Sequence, residues 1–391
     1  MVGPRAHPAP GGCPRPGCPA THGMVASSAM PIAPRPRPFP HALRSGALLA
    51  ALACAGWPPA PRTVLASRAP QTGRSDLRSP PRGPRTLQAG HAPTLDLPSR
   101  EPLSALAADS AVILDDLRTL SSDAMEGRRT GTRGAVRARA FLEARLRAAG
   151  VHPLGDGHER AFTWTRPPEM APHPGVNLVG SLAGDGAAGR FIVVSAHYDH
   201  LGIRNGQIYN GADDDASGAV GLLALARALR GHPLRHTLLF VEFDAEEEGL
   251  RGSRAFVADP PVPLARIALD LNLDMVSRTA GVLWVAGAHE TPTLRPILEE
   301  VAALAPVALR LGHDRPEAPE GDDWTEQGDH GSFHDAGIPF VYLGVEDHPD
   351  YHRPTDDFER IDPGEYMNAL RASLMMLLAL DQALPLPAAA S

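Results

Sequence analysis

Three runs of almost wholly apolar residues constrain this chain most, because each ends in histidine or carboxylate at its C-terminal side. Phe191 to Ala196 leads into His197-Tyr198-Asp199-His200, Thr237 to Phe243 into Glu246-Glu247-Glu248, and Ile267 to Leu273 into Asp274. Continuous rather than alternating apolar runs are expected of strands with both sheet faces covered. Two further strand candidates lie at Val282 to Ala286 and Pro339 to Leu343. Helical periodicity fills the intervals. A helix capped by Asp109 or Ser110 carries Val112, Leu114, Leu117 and Leu120, and a second, from Ala135 to Gly150, carries Val136, Phe141, Leu142 and Leu146. Others are expected at Ser217 to Leu229, Gly252 to Ala258, Leu294 to Leu304 and Pro363 to Leu384. This alternation predicts an α/β fold: one domain, residues 109–391, with a central, mostly parallel mixed β-sheet flanked by helices. Ligands of such sheets bind beyond the carboxyl ends of the strands, where the polar residues stand.

The preceding residues read differently. Residues 1–100 hold twelve Arg against Asp76 and Asp96, a net of +10, so the remainder carries −18 of the overall −8. An acidic body argues against nucleic acid as a partner. Cys13, Cys18 and Cys54 also fall in this part, which leaves the folded region without a disulfide or a thiol nucleophile. The basic stretch Pro31 to Arg44 followed by the apolar run Ser45 to Trp57 reads as a secretory signal, within an N-terminal extension of residues 1–66. Its apolar core falls short of the ~20 residues of a membrane span. An exported protein, periplasmic or secreted, is therefore expected, with Cys54 in the weak lipobox Ala51-Leu-Ala-Cys54 as a candidate lipid anchor. Residues 67–108, rich in Pro and Arg and without apolar periodicity, read as a disordered linker. No oligomeric state follows from the sequence.

Histidine and carboxylate donors without cysteine suit zinc. The candidate ligands are His197, Asp214, Glu247, Asp274 and His352. Their charge of −3 against +4 from two Zn²⁺ leaves room for one hydroxide, the nucleophile of a hydrolase. Each piece has a plain alternative. His197-x-Asp199 could be an ordinary surface pair, although Asp199 can orient His197 by accepting its second ring N–H. The aspartates in Asn210 to Gly218 could serve as a turn and helix cap, and Glu246 to Glu248 as a solvated helix end. Asp274, next to an apolar strand, is costly to bury without a partner.

In this order and spacing, Ser195-Ala-His-Tyr-Asp199, Gly211 to Gly218, Ala245 to Ser253, Leu273-Asp-Met275, Gly328-Asp-His330 with Gly337-Ile-Pro339, and Tyr351-His352 closely resemble the co-catalytic dizinc aminopeptidases. That is the family of secreted bacterial leucyl aminopeptidases and aminopeptidase Y. The resemblance covers about Ser121 to Asp362 and lacks the protease-associated domain of larger members, with a short Pro-rich stretch between Trp164 and Asn177 in its place. It implies a single zinc-peptidase domain that takes peptide substrates. It implies two Zn²⁺ bridged by Asp214, with His197 and Asp274 on one and Glu247 and His352 on the other. It also implies Glu246 as general base, Tyr351 as a phenol that helps hold the oxyanion, and a cis peptide after Asp214. The acidic loop Gly312 to Glu326 is expected to border the substrate cleft.

A carboxypeptidase or dipeptidase of the same clan is the alternative hydrolase. A glutaminyl cyclase is disfavoured because Glu246-Glu247 and Gly252-Ser253 are contiguous and the Asp214 motif is intact. A binding module derived from a dead enzyme is disfavoured because all five ligand positions are filled.

Overall fold

The computed structural model describes residues 100–384 apart from 167, 186–188 and 316–321. The extension, the signal and most of the linker therefore lie outside the described residues. In chain order the helices are α1 (Arg100–Ala108), α2 (Ser110–Leu120), α3 (Arg133–Ala149), α4 (Gly218–Ala228), α5 (Arg251–Ala258), α6 (Arg295–Ala302), α7 (His330–Asp335) and α8 (Pro363–Ala383). The strands are β1 (His152–Pro153), β2 (Glu159–Thr165), β3 (Pro172–Leu182), β4 (Phe191–His197), β5 (Gly202–Arg204), β6 (Gln207–Tyr209), β7 (Thr237–Phe243), β8 (Ile267–Leu273), β9 (Val282–Ala286), β10 (Ala308–Leu311) and β11 (Phe340–Gly344).

One nine-stranded sheet runs β1-β3-β7-β4-β8-β11-β9-β10, with β2 on β3. The expected mixed α/β sheet is present. Its centre, β7-β4-β8-β11, is parallel, and both flanks contain antiparallel pairs, β3 on β7 and β9 on β11. Side-chain alternation divides the packing. Ile192, Val194 and Ala196 of β4 face a core shared with α2, α3, α4 and α8, whereas Val193, Leu239, Val241 and Phe243 meet Phe256 of α5 and Phe333 of α7. With both faces covered, the strands are mainly apolar, although Ser195 of β4, Glu242 of β7 and Asp270 and Asn272 of β8 are also buried. Among the described residues no helix is long and apolar enough to cross a membrane.

Several local readings need correction. The linker assignment overruns the fold, because α1 occupies its last residues and buries Leu106 against the core. Two isolated leucines in a nine-residue helix make a weak periodic signal, and tertiary packing supplies the stability instead. In α2 the buried face is Ile113, Asp116, Leu117 and Leu120, and Val112 is 47% exposed. Asp116 takes the core position because Arg145 of α3, at 2.8 Å, and Arg227 of α4 neutralise it there. Val136 of α3 is likewise exposed, since Ala135, Ala138, Leu142 and Leu146 form its inward stripe. The Pro-rich stretch between Trp164 and Asn177 contains the start of β3, paired antiparallel with β2. Proline is tolerated there because Pro172 and Pro174 pair with β2 alone, β7 joining β3 only from Leu178 onward.

Candidate metal centre

Four adjacent parallel strands deliver the site. His197 ends β4, Glu246 and Glu247 follow β7, Asp274 follows β8, and the loop after β11 carries Tyr351 and His352. A crossover topology that keeps neighbouring strands parallel brings all their carboxyl ends to one edge, so residues up to 155 positions apart converge without any local sequence relation.

Asp213, Asp214 and Asp215 divide the work at the entrance to α4. Asp213 Oδ1 accepts from the Ser277 N–H at 2.8 Å and from its hydroxyl at 2.6 Å, which anchors the loop after β8. Asp215 accepts from the N–H groups of Gly218, Met275 and His197, at 2.8, 3.1 and 3.3 Å, and so ties α4 to the ends of β8 and β4. Asp214 alone is left to face the site, and the Asp214–Asp215 peptide is cis, as the resemblance implied. The flanking glycines are required by space. A Cβ on Gly211, at φ +54°, would stand 2.0 Å from the Asp214 carbonyl oxygen, and one on Gly218 would stand 2.4 Å from that of Leu273.

The two oxygens of Asp214 point into different groups. Oδ1 lies 3.3 Å from His197 Nε2, which is itself 3.6 Å from Asp274 Oδ1. Oδ2 lies 3.1 Å from His352 Nε2, which is 3.3 Å from Glu247 Oε2. All five expected ligands thus come together around one carboxylate. Burial opposes ionisation of Asp214, but His200, His197 and His352 hold its carboxyl well below the usual range. Burial pulls His352 down, and the Asp214 and Glu247 carboxylates overcome it, raising the imidazole to about 10. Burial pushes Glu246 well above the ordinary glutamate range, with His197 opposing and Asp329, Asp274 and Glu247 reinforcing. So many buried carboxylates need positive charge, which cations would supply. The Tyr351 phenol, stacked on His352 at 4.0 Å, is raised by burial and by the nearby carboxylates and stays protonated, able to donate.

One expectation about Asp199 is corrected. His197 Nδ1 finds the backbone carbonyl of Asp199 at 3.1 Å, while the carboxylate is 3.8 Å away. That carboxylate instead accepts from the Glu246 N–H at 3.0 Å and the Thr130 hydroxyl at 3.2 Å. The residue still orients the ring, but through its main chain, because the turn after β4 folds the carbonyl back under the imidazole.

Three residues escaped sequence reasoning. His200 is fully buried, with Nδ1 2.8 Å from Glu247 Oε1 and 3.6 Å from Asp214 Oδ2. Asp356 accepts from the N–H groups of Asp213 at 3.1 Å and Asp214 at 3.2 Å. Arg128, also fully buried, donates to the carbonyls of Tyr198 at 2.7 Å, Leu120 at 3.1 Å, Gly211 at 2.9 Å, and Asn210. Its cation lies among Asp214, Asp215, Asp356 and Asp199. The only advance signal was an arginine between Gly127 and Thr130, indistinguishable there from the neighbouring Arg129.

Zinc fits these residues. The donors are imidazole nitrogens and carboxylate oxygens in two groups sharing Asp214: His197 and Asp274 on one side, and Glu247 with His200 and His352 on the other. Beside this group, His200 Nδ1 lies 2.8 Å from Glu247 Oε1, and His200 Nε2 is buried with no hydrogen-bond partner among the described residues.

Known proteins are similar to this chain. Aminopeptidase YwaD of Bacillus subtilis (strain 168) is 32% identical over 179 residues, 44% of this chain and 36% of that protein. A probable zinc metalloprotease of Pyrenophora tritici-repentis is 28% identical over 164 residues, 38% of this chain and 36% of the relative. The matched stretch thus spans about a third of the length of these curated relatives. Among solved structures, the fold resembles an aminopeptidase from Aneurinibacillus sp. strain AM-1, with a TM-score of 0.56 and 16% identity over 71% of this chain and 95% of that one. It equally resembles the glutaminyl cyclase of Fimbriiglobus ruber, with a TM-score of 0.57 and 20% identity over 69% and 95%. Such likenesses speak for the shared fold alone. Residues 177–377, from β3 through most of α8 and including every ligand position, match peptidase family M28, and with that match covering more than half of its length this chain belongs to the family.

Proposed function

We propose that the chain is a zinc exopeptidase that removes the N-terminal residue of peptides. The observation that carries this reading is the divided Asp214 carboxylate, one oxygen beside His197 and Asp274 and the other beside Glu247 and His352. His197, Asp214 and Asp274 would hold one zinc ion, and Asp214, Glu247 and His352 a second. When bound, such ions acidify a water and polarise the scissile carbonyl. The protein's own groups do the rest. Glu246, held by its main chain on Asp199, accepts the proton of the attacking water and returns it to the leaving amine. The Tyr351 hydroxyl donates to the developing oxyanion. Metal analysis of the purified protein is expected to give two equivalents per chain, and one equivalent with full activity would contradict the shared role of Asp214.

The amino-end specificity is supported by the name of the Bacillus relative and by the acidic cleft, which suits a free α-ammonium. Aminoacyl-nitroanilides with a free amine should turn over, and their N-acetylated counterparts should be slower by about 10- to 100-fold, the worth of one lost charge-assisted contact. Equal rates would move the assignment to an endopeptidase; cleavage from the carboxyl end or cyclisation of N-terminal glutamine would move it to a carboxypeptidase or a cyclase. We also read the chain as exported, on the Ser45 to Trp57 run, and mass spectrometry of the mature N-terminus tests this.

A further inference from the structure

The metal groups form one wall of a cleft of about 100 Å³ whose other walls are Met275, Trp324, Gln327, Tyr342, Val345, Asp347 and Tyr351. Outside the metal groups, five of these seven residues are apolar or aromatic, and Gln327 and Asp347 are polar. Trp324 and Tyr342 meet edge to face at 5.8 Å. Trp324 is also buttressed from behind, stacked on His313 at 3.7 Å and 5°, whose ring nitrogens lie 2.7 Å from Asp322 and 3.2 Å from Glu346. The wall is therefore a held surface rather than a free side chain.

Asp347 carries the only charge among these seven. It is exposed at the edge of this cleft, beside the Tyr351 phenol, and among the described residues no basic group forms an ion pair with it. Two arginines line a separate depression that shares Val345 and Asp347 with the cleft, Arg278 paired with Asp350 at 2.6 Å and Arg310 over the Trp284 ring at 5.8 Å. Glu346, its neighbour, is turned to His313. The cleft thus offers a side chain mainly apolar and aromatic walls with, at its edge, one carboxylate that forms no ion pair among the described residues. A long aliphatic stem tipped with a cation fits that sequence of surfaces, since the stem covers apolar atoms and the head reaches both the carboxylate and the faces of aromatic rings. A carboxylate-bearing side chain would meet a like charge there.

We propose that Asp347 selects peptides whose N-terminal residue is lysine or arginine and disfavours those beginning with glutamate or aspartate. This rests on the exopeptidase reading above. The test compares kcat/KM for Lys-, Arg-, norleucine- and Glu-nitroanilides in the wild type and in D347N, an exposed and isosteric change. The wild type should prefer Lys and Arg to norleucine and reject Glu. In D347N the Lys-to-norleucine ratio should fall by about 10- to 100-fold, mainly through KM, as loss of one charge-assisted contact would produce. An unchanged ratio overturns the proposal. So does a parallel fall for every substrate, which would make Asp347 an anchor for the common α-ammonium.

A binding measurement separates this from failure of the exopeptidase reading itself. Calorimetric titration of the zinc-loaded protein with free L-lysine and L-norleucine should show tighter binding of lysine in the wild type and no such preference in D347N. If no nitroanilide is cleaved but that difference is seen, the peptidase reading falls and the basic-side-chain site stands. If lysine and norleucine bind alike in the wild type, the site is refuted whatever the catalysis.

Discussion

Glu246→Gln is expected to lower kcat by roughly 10²–10⁴-fold, the usual worth of general acid–base help, with KM little changed and both metal ions still bound. The side chain is part of the cleft wall and sits between His197, Asp274 and Glu247 electrostatically, but it is not among the groups that crowd the Asp214 oxygens. Its amide replacement keeps the size and removes the basicity. Glu247→Gln should behave differently although it is the adjacent residue. Glu247 Oε2 lies 3.3 Å from His352 Nε2 across the Asp214 Oδ2 group, so the change removes a charged donor and the ion held there should bind far more weakly. Activity of Glu247→Gln should return in part with excess zinc; that of Glu246→Gln should not. Metal analysis beside steady-state kinetics reads the contrast. If Glu246→Gln strips an ion while Glu247→Gln keeps both, the two roles must be exchanged.

Arg128→Met should destabilise the fold by about 3–5 kcal/mol, the range for removing one member of a buried charged arrangement. Its guanidinium is fully buried and satisfies four main-chain carbonyls, those of Leu120, Tyr198, Asn210 and Gly211. Two of these flank the metal residues directly: Tyr198 follows His197, and Gly211 opens the segment that presents Asp214. The substitution leaves those acceptors without a donor and removes the cation that offsets Asp214, Asp215, Asp356 and Asp199. Arg128→Lys keeps the charge, yet a single ammonium cannot reproduce the planar fork that spans carbonyls from three segments, so it should recover only part of the loss. Urea unfolding of metal-free protein checks both variants. A cost for Arg128→Met below about 0.5 kcal/mol, the scale of an ordinary surface change, would show that the arginine is not the clamp these bonds describe.

Much of this site is legible in the chain itself, for a physical reason. A strand covered on both faces is mostly apolar, so His197, Glu246, Glu247 and Asp274 stand out where β4, β7 and β8 end, even though Glu242 and Asp270 lie buried inside β7 and β8, and parallel topology places strand ends at one edge. The candidate metal residues, the central strands and the helices between them could therefore be inferred from residue types and spacing, but not the order of the strands in the sheet. Other features depend on where separate segments meet. Arg128 looks like any surface arginine until four carbonyls from distant loops close around it. His200 follows its neighbours without distinction until β4, the α4 entrance and the loop after β7 bury it against Glu247. The roles of Asp213, Asp214 and Asp215 cannot be divided by composition, because it is the positions of Ser277, Met275 and His197 that claim the outer two and leave Asp214 free. The exposed Val112 and buried Asp116 reversed an apolar pattern for the same reason, since the arginines that make Asp116 tolerable in the core come from α3 and α4. Periodicity reports a residue's own preference for water; tertiary structure decides which polar groups find partners out of water, and the partners here lie far away in sequence.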